Sequence, residues 1–127
     1  MKNKKTDYKR VLIILLVVFG IILIFSLFDY FIHILSEEYA VPQRYFLNKI
    51  IYGTLIGLAV YFFIRKMSPV KKALIFSATV GILLQVRYFL EGYPKKFVLE
   101  FLFIHFLILL PVSWIIFKLI SIKEQLN

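Results

Sequence analysis

Four long apolar stretches divide the sequence, and they constrain its fold more than any other feature. They cover residues 11–35, 46–64, 73–90 and 97–120. Each is about as long as the roughly 20 residues that a helix needs to cross a bilayer core of about 30 Å. Lipid offers the backbone no hydrogen bonds, so segments of this length are expected to be helical. The alternation typical of a barrel strand is absent from the sequence, which therefore predicts four transmembrane helices.

The composition is also typical of a membrane protein. Hydrophobic residues make up 61% of the chain, and its mean hydropathy is +0.87. A signal peptide is the alternative for the first stretch, since basic residues precede it. The apolar run is too long for that, and no small-residue cleavage site follows before Ser36, Glu37 and Glu38. We therefore expect a retained anchor within one domain that covers residues 1–127.

The distribution of lysine and arginine predicts the orientation of these helices. Eleven basic residues lie before the first stretch, between the second and third, or near the end of the chain, against five in the opposite half. The positive-inside rule then places both termini in the cytoplasm. The predicted fold is an all-α integral membrane protein with four transmembrane helices arranged as two antiparallel hairpins. The bases flank the spans and accompany no nucleic-acid-binding motif, so the predicted partners are membrane lipids and not nucleic acid.

Small residues suggest how the helices pack. The second stretch contains Gly53 and Gly57 in a G-x-x-x-G pattern, and small or polar residues recur every four positions in the third, from Ala73 to Gln85. Small residues let helix backbones approach closely in lipid. We expect these two faces to pack against each other within the chain. The alternative is that one of them forms a homo-oligomer or contacts another membrane protein.

Polar side chains gather near the ends of the helices opposite the cytoplasm, which predicts an outward-facing polar cavity. In the first helix, for example, Asp29 lies about 27 Å above Val11. Ionisable groups at this depth are costly unless they are paired, so they are functional candidates. The candidate ligand-binding residues are Asp29, His33, Lys49, Gln85, Arg87, Glu100 and His105.

Five of these candidates also have a purely structural interpretation. Asp29, His33 and Lys49 then contact headgroups and water at the ends of the spans, as interfacial residues commonly do. Arg87 pairs with Glu91 one turn later. Gln85 donates an interhelical hydrogen bond.

Two chemistries suit the functional interpretation. Asp29 and His33 together with Glu100 and His105 offer two carboxylates and two imidazoles, a set that zinc accepts. Glu100 and His105 point about 140° apart on a helix, however, so this set is weak and no cofactor is predicted. Alternatively, the two bases Lys49 and Arg87 bind an anionic headgroup or a small carboxylate, with hydrogen bonds from Asn48, Tyr52, Gln85 and Tyr88.

Three functions follow, in order of preference. The first is non-catalytic binding of a lipid headgroup, small solute or membrane partner. The second is a homo-oligomeric transporter or channel, since four helices with 14 Phe and 8 Tyr leave little room for a pore within one chain. The third is an intramembrane metal-dependent enzyme. The chain has no cysteine and no G-x-S-x-G or H-E-x-x-H motif, so the sequence favours a protein that is not an enzyme.

Overall fold

The computed structural model describes residues 4–126 and contains four long helices. These are α1 (Lys4–His33), α2 (Arg44–Ile64), α3 (Pro69–Leu90) and α4 (Lys95–Leu126), with a short 3-10 turn at Glu37–Tyr39. The described residues contain no strand. Lys2, one of the eleven basic residues counted above, lies outside the described part of the chain.

All four helices are long and apolar enough to cross a membrane. The prediction of an all-α chain with four such helices is therefore confirmed. The helices continue beyond the apolar stretches into charged sequence. For example, α1 begins at Lys4 and not at Val11. Helix formation does not require apolar residues at the helix ends, where water can solvate the backbone.

The connection between α3 and α4 follows directly from its sequence. Gly92 has a φ of 82°, a left-handed conformation that favours glycine. Its N–H donates to the carbonyl of Phe89, and the N–H of Tyr93 donates to that of Tyr88. These two bonds form a Schellman motif, and the rings of Tyr88 and Tyr93 make the apolar contact that accompanies it. The turn thereby places Tyr93 over the end of the bundle.

The helices pack in chain order, with α1 also contacting α4. Residue numbers rise along one helix as they fall along its neighbour: Gly57 of α2 lies beside Val18 of α1, whereas Lys49 lies beside Asp29. Neighbouring helices therefore run in opposite directions. The most extensive contact joins α3 and α4.

The expected packing of the two small faces against each other is wrong. A Cβ atom on Gly57 would lie 2.8 Å from Val18 Cγ1 of α1 and 3.0 Å from Phe76 Cζ of α3. The glycine face of α2 therefore receives large side chains from two helices. The small face of α3 packs on α4 instead, where Ser77 Oγ lies 3.1 Å from Ser113 Oγ. Pairing a small residue with a large one fills the interior, whereas two small faces would pack only if the backbones moved closer.

Two apolar clusters form the interior. An aliphatic-rich cluster occupies the half of the bundle nearer the two termini and includes Val18, Ile22, Phe76, Val80 and Leu109. An aromatic cluster at the other end contains Tyr45, Tyr88, Phe97 and Phe101. The buried side chains of His33, His105 and Lys49 contact this aromatic cluster.

Candidate functional site

Asp29 is the centre of a buried polar network. Its Oδ1 accepts a hydrogen bond of 2.8 Å from His105 Nε2, and its Oδ2 pairs with Lys49 Nζ. His33 Nε2 lies 3.3 Å from Oδ1. Asp29 and His105 are fully buried, and Lys49 is 5% exposed. We refer to the six residues Asp29, His33, Lys49, Gln85, Tyr88 and His105 as the Asp29 network.

All four helices contribute to this network. Asp29 and His33 lie one turn apart on α1, so they share a face. Lys49 comes from the second turn of α2, and Gln85 and Tyr88 come from the last two turns of α3. His105 extends from α4 toward Asp29. The network therefore depends on the packing of the whole bundle.

The tautomer of His33 follows from its partners. His33 Nδ1 lies 2.6 Å from the backbone carbonyl of Tyr39, which only accepts, so Nδ1 carries the proton and donates. In the neutral ring, Nε2 is then an acceptor. Two donors face it, Lys49 Nζ at 3.2 Å and the hydroxyl of Tyr88 at 3.4 Å. The Glu37–Tyr39 turn thus fixes the direction in which His33 presents its lone pair.

The tautomer of His105 is the opposite one. Its Nε2 donates to the carboxylate of Asp29, so its Nδ1 accepts in the neutral ring. Gln85 Nε2 donates to Nδ1 at 2.5 Å. With both imidazoles neutral, the charges of Asp29 and Lys49 cancel. One acceptor stays unsatisfied: Gln85 Oε1 is buried and has no hydrogen-bond partner among the described residues.

Aromatic side chains fix the planes of both imidazole rings. His33 stacks on Phe101 with a centroid distance of 4.2 Å and an angle of 2° between the rings. The ring of Phe25 meets His105 edge to face at 5.1 Å. The ammonium of Lys49 lies 5.0 Å from the centre of the Tyr88 ring, a distance typical of a cation–π contact. The network is therefore held by packing as well as by hydrogen bonds.

Five of the seven predicted site residues come together here: Asp29, His33, Lys49, Gln85 and His105. Their burial contradicts the interfacial interpretation of Asp29, His33 and Lys49. Gln85 makes the interhelical hydrogen bond that its structural interpretation predicts.

The other two candidates lie outside the network. Arg87 donates from Nε to Glu91 at 3.1 Å, as its structural interpretation predicts, and its guanidinium lies 4.3 Å from the centre of the Tyr45 ring. Glu100 is partly exposed and lies 3.8 Å from Lys96. The predicted metal set of two carboxylates and two imidazoles is therefore wrong, because Glu100 and His105 do face different directions.

Sequence reasoning missed the groups that support the two histidines. These are the carbonyl of Tyr39 and the rings of Phe25 and Phe101. The sequence carries one signal for Phe101: it lies four residues from both Phe97 and His105, a spacing that places the three on one helix face. In α4 every fourth residue from Phe97 to Phe117 is indeed buried. The Tyr39 carbonyl has no such signal, since it belongs to a turn.

Two cavities reach the network from the surface. The larger, which we name the α2–α3 cleft, has a volume of about 570 Å³ and reaches Lys49 and Tyr88. The other has a volume of about 450 Å³, lies between the end of α1 and the start of α2, and reaches His33. Both open at the end of the bundle that carries the aromatic cluster.

The α2–α3 cleft changes character along its length. Near the open end its lining includes the polar side chains of Asn48, Arg87 and Glu91 together with Leu90. One to two turns further into the bundle the lining is aliphatic and includes Ile56, Leu83 and Leu84. The cleft therefore offers a charged end and an apolar end to the same ligand.

The loop residue Tyr93 closes the aromatic end of the bundle. Its ring stacks on Phe97 at 4.9 Å. Partial burial and the nearby carboxylate of Glu91 raise the pKa of the Tyr93 hydroxyl above its ordinary value. Tyr93 is therefore neutral at physiological pH and adds no charge at this end of the bundle.

One group of side chains also has the composition of a metal site. A ligand atom from each of Asp29, His33 and His105 lies within 4.8 Å of the other two. This group is smaller than the predicted set, since it lacks Glu100.

Comparisons with protein-family models, with curated proteins and with solved structures find no match for this chain.

Proposed function

We propose that this chain is an integral membrane protein, with both termini in the cytoplasm, that binds an anionic lipid in the α2–α3 cleft without chemically changing it. The polarity gradient of the cleft carries the proposal. Its charged end lies where the helices meet the membrane surface, and its aliphatic end lies deeper. A phospholipid has the same order of groups along its length.

The guanidinium of Arg87 gives the cleft its preference for an anionic headgroup. Arg87 contributes a guanidinium with five N–H donors, of which Nε is bonded to Glu91. Lys49 also lines the cleft, with its ammonium paired with Asp29. A phosphate in the cleft accepts charge-assisted hydrogen bonds from Arg87, and Asn48 adds a neutral donor. The acyl chain then contacts Ile56, Leu83 and Leu84.

The interior of the bundle argues against the transporter or channel. The half nearer the termini is filled by the aliphatic-rich cluster, and its buried polar groups are hydroxyls such as Ser77 and Ser113. Gly53 and Gly57 contact side chains of the same chain, so they do not support a G-x-x-x-G dimer. A bound lipid requires access from one side only, which the cleft provides.

Lipid retention measured by native mass spectrometry tests the proposal. The wild-type protein should retain phosphatidylglycerol in preference to phosphatidylcholine. Arg87→Gln should weaken the retention of phosphatidylglycerol by roughly tenfold, since a hydrogen bond to a charged group contributes about 1.5–3 kcal/mol. Arg65→Gln is the matched control, because Arg65 lies at the opposite end of α2.

Three outcomes would contradict the proposal. The first is equal retention of both lipids by the wild type, and the second is an equal loss in both variants. The third concerns the source of the phosphate. If inorganic phosphate displaces phosphatidylglycerol as effectively as a second lipid does, the cleft binds a free anion and not a lipid.

A further inference from the structure

We propose that Asp29, His33 and His105 form a binding site for one divalent transition-metal ion, best matched by zinc, and that Lys49 competes with this ion for the carboxylate. None of the three ligands lines the α2–α3 cleft. The site needs only side chains that already lie together in the bundle.

Two of the three distances between the ligand atoms suit zinc. Asp29 Oδ1 lies 2.8 Å from His105 Nε2 and 3.3 Å from His33 Nε2. Zinc binds imidazole nitrogen and carboxylate oxygen at about 2.0–2.2 Å in a tetrahedron, which separates its ligand atoms by about 3.3 Å. Two nitrogens and one oxygen are the protein ligands of many zinc sites that keep a fourth position open.

The outer partners of both histidines support the same interpretation. A histidine that binds metal through one nitrogen commonly donates its other N–H to a carbonyl or carboxylate. His33 already donates Nδ1–H to the carbonyl of Tyr39 and directs Nε2 toward Asp29. It therefore has the tautomer that a metal ligand requires.

Gln85 provides the corresponding partner for His105. A half-turn of its amide exchanges Nε2 with Oε1, the buried acceptor that has no partner among the described residues. In the tautomer of His105 that carries its proton on Nδ1, Oε1 accepts a hydrogen bond from Nδ1–H, and Nε2 is free to bind the ion. The unsatisfied oxygen is thus the acceptor that the metal-binding tautomer needs.

Lys49 is the competing cation. Its ammonium pairs with Asp29 and lies 3.2 Å from His33 Nε2. An ion and an ammonium at these positions would repel each other strongly at low dielectric. The side chain of Lys49 also lines the α2–α3 cleft, so it has space to move away from the carboxylate. Metal binding therefore releases Lys49 into the cleft.

Titration of the full chain with zinc or cobalt tests this site. The chain contains two histidines, both in the site, and no cysteine, so protein without a polyhistidine tag has no other imidazole or thiolate ligand. The chelator-treated wild type should bind one zinc ion per chain. Cobalt should give the visible absorption of a tetrahedral complex. With ¹⁵N-labelled histidine, zinc should shift the Nε2 signals of both rings.

Substitution of the competitor should strengthen binding. Lys49→Met should raise zinc affinity by about tenfold or more, because the repelling ammonium is removed. Lys96→Met, which alters an exposed lysine, should leave the affinity unchanged. Gln85→Leu should lower it by roughly tenfold, as expected for an outer partner of a metal ligand.

Folding is checked separately by circular dichroism and thermal unfolding. If Lys49→Met is less stable without metal, zinc should raise its melting temperature more than that of the wild type. The proposal is overturned if neither protein binds zinc, or if Lys49→Met binds it no more tightly. It is also overturned if the affinity survives in the double variant His33→Gln with His105→Gln.

Discussion

Asp29 on α1 accepts a hydrogen bond from His105 on α4 at 2.8 Å, and both side chains are fully excluded from solvent. This contact joins the first and last helices of the chain. The same carboxylate also pairs with Lys49 on α2. A single side chain therefore holds three of the four helices together at the end of the bundle where both cavities open.

Removal of this carboxylate should strongly destabilise the protein. Asp29→Asn leaves the ammonium of Lys49 buried without its counter-ion, which typically costs about 3–5 kcal/mol. In a double-mutant cycle with His105→Ala, the coupling should exceed about 0.5 kcal/mol, because the two side chains are in direct contact. Chemical unfolding in detergent measures both quantities.

Arg87 provides the control for that cycle. It pairs with Glu91 outside the Asp29 network, so Asp29→Asn and Arg87→Gln should be additive within about 0.5 kcal/mol. Strong coupling between these two positions would mean that the guanidinium reaches the carboxylate, contrary to the described geometry.

Two glycines should respond differently to alanine. At Gly57 the added methyl group would lie 2.8 Å from Val18, whose branched side chain has little freedom to move. Gly57→Ala should therefore lower stability by about 1–3 kcal/mol. Gly81 is also buried in a helix. A Cβ atom added there, however, would have no atom of a neighbouring helix within 4 Å.

Gly81→Ala should accordingly be neutral or slightly stabilising, since alanine favours the helix by up to about 1 kcal/mol. Thermal unfolding of both variants in the same detergent gives the comparison. Equal destabilisation would show that the α3–α4 contact is tighter than described.

Single cysteines should establish the orientation in the membrane. The natural chain has none, so each introduced thiol is unique. In intact cells, Ala40→Cys should react with an impermeant maleimide, whereas Ser68→Cys should be protected until the cells are opened. The positive-inside rule is the physical basis. Labelling of Ser68→Cys in intact cells would reverse the proposed orientation.

Zinc and anionic lipid should strengthen each other's binding if both proposed sites exist. The ion displaces Lys49 toward the cleft, where its ammonium meets the headgroup. By linkage, each ligand should then raise the affinity of the other by the same factor, about fivefold or more. The effect should vanish in Lys49→Met. If wild-type zinc and lipid binding are both intact but independent, Lys49 does not move between the two sites.

The sequence predicted the four helices because their length and apolarity do not depend on which neighbour each helix contacts. It also predicted the convergence of Asp29, His33, Lys49, Gln85 and His105, since depth along a helix follows from the rise per residue. Depth alone does not fix the direction of a side chain. Arg87 lies two residues, about 200°, from Gln85 and points elsewhere, although both lie in the same layer.

Helix partners were harder to predict. Whether the small face of α3 contacts α2 or α4 depends on the side chains that fill the space between them, and Phe76 occupies the side toward Gly57. The tautomers of the histidines depend on a turn carbonyl and on an amide from another helix. Neither group is visible in a periodic pattern of residues.

The aliphatic-rich cluster has an electrical consequence for the Asp29 network. In the proposed orientation, this cluster separates the network from the cytoplasm, while both cavities open toward the exterior. Most of a transmembrane voltage would then fall across the aliphatic half, where the dielectric constant is lowest. A cation entering the network from outside would cross little of that voltage. Occupancy of the network should therefore follow the ionic composition of the exterior and be nearly independent of membrane potential.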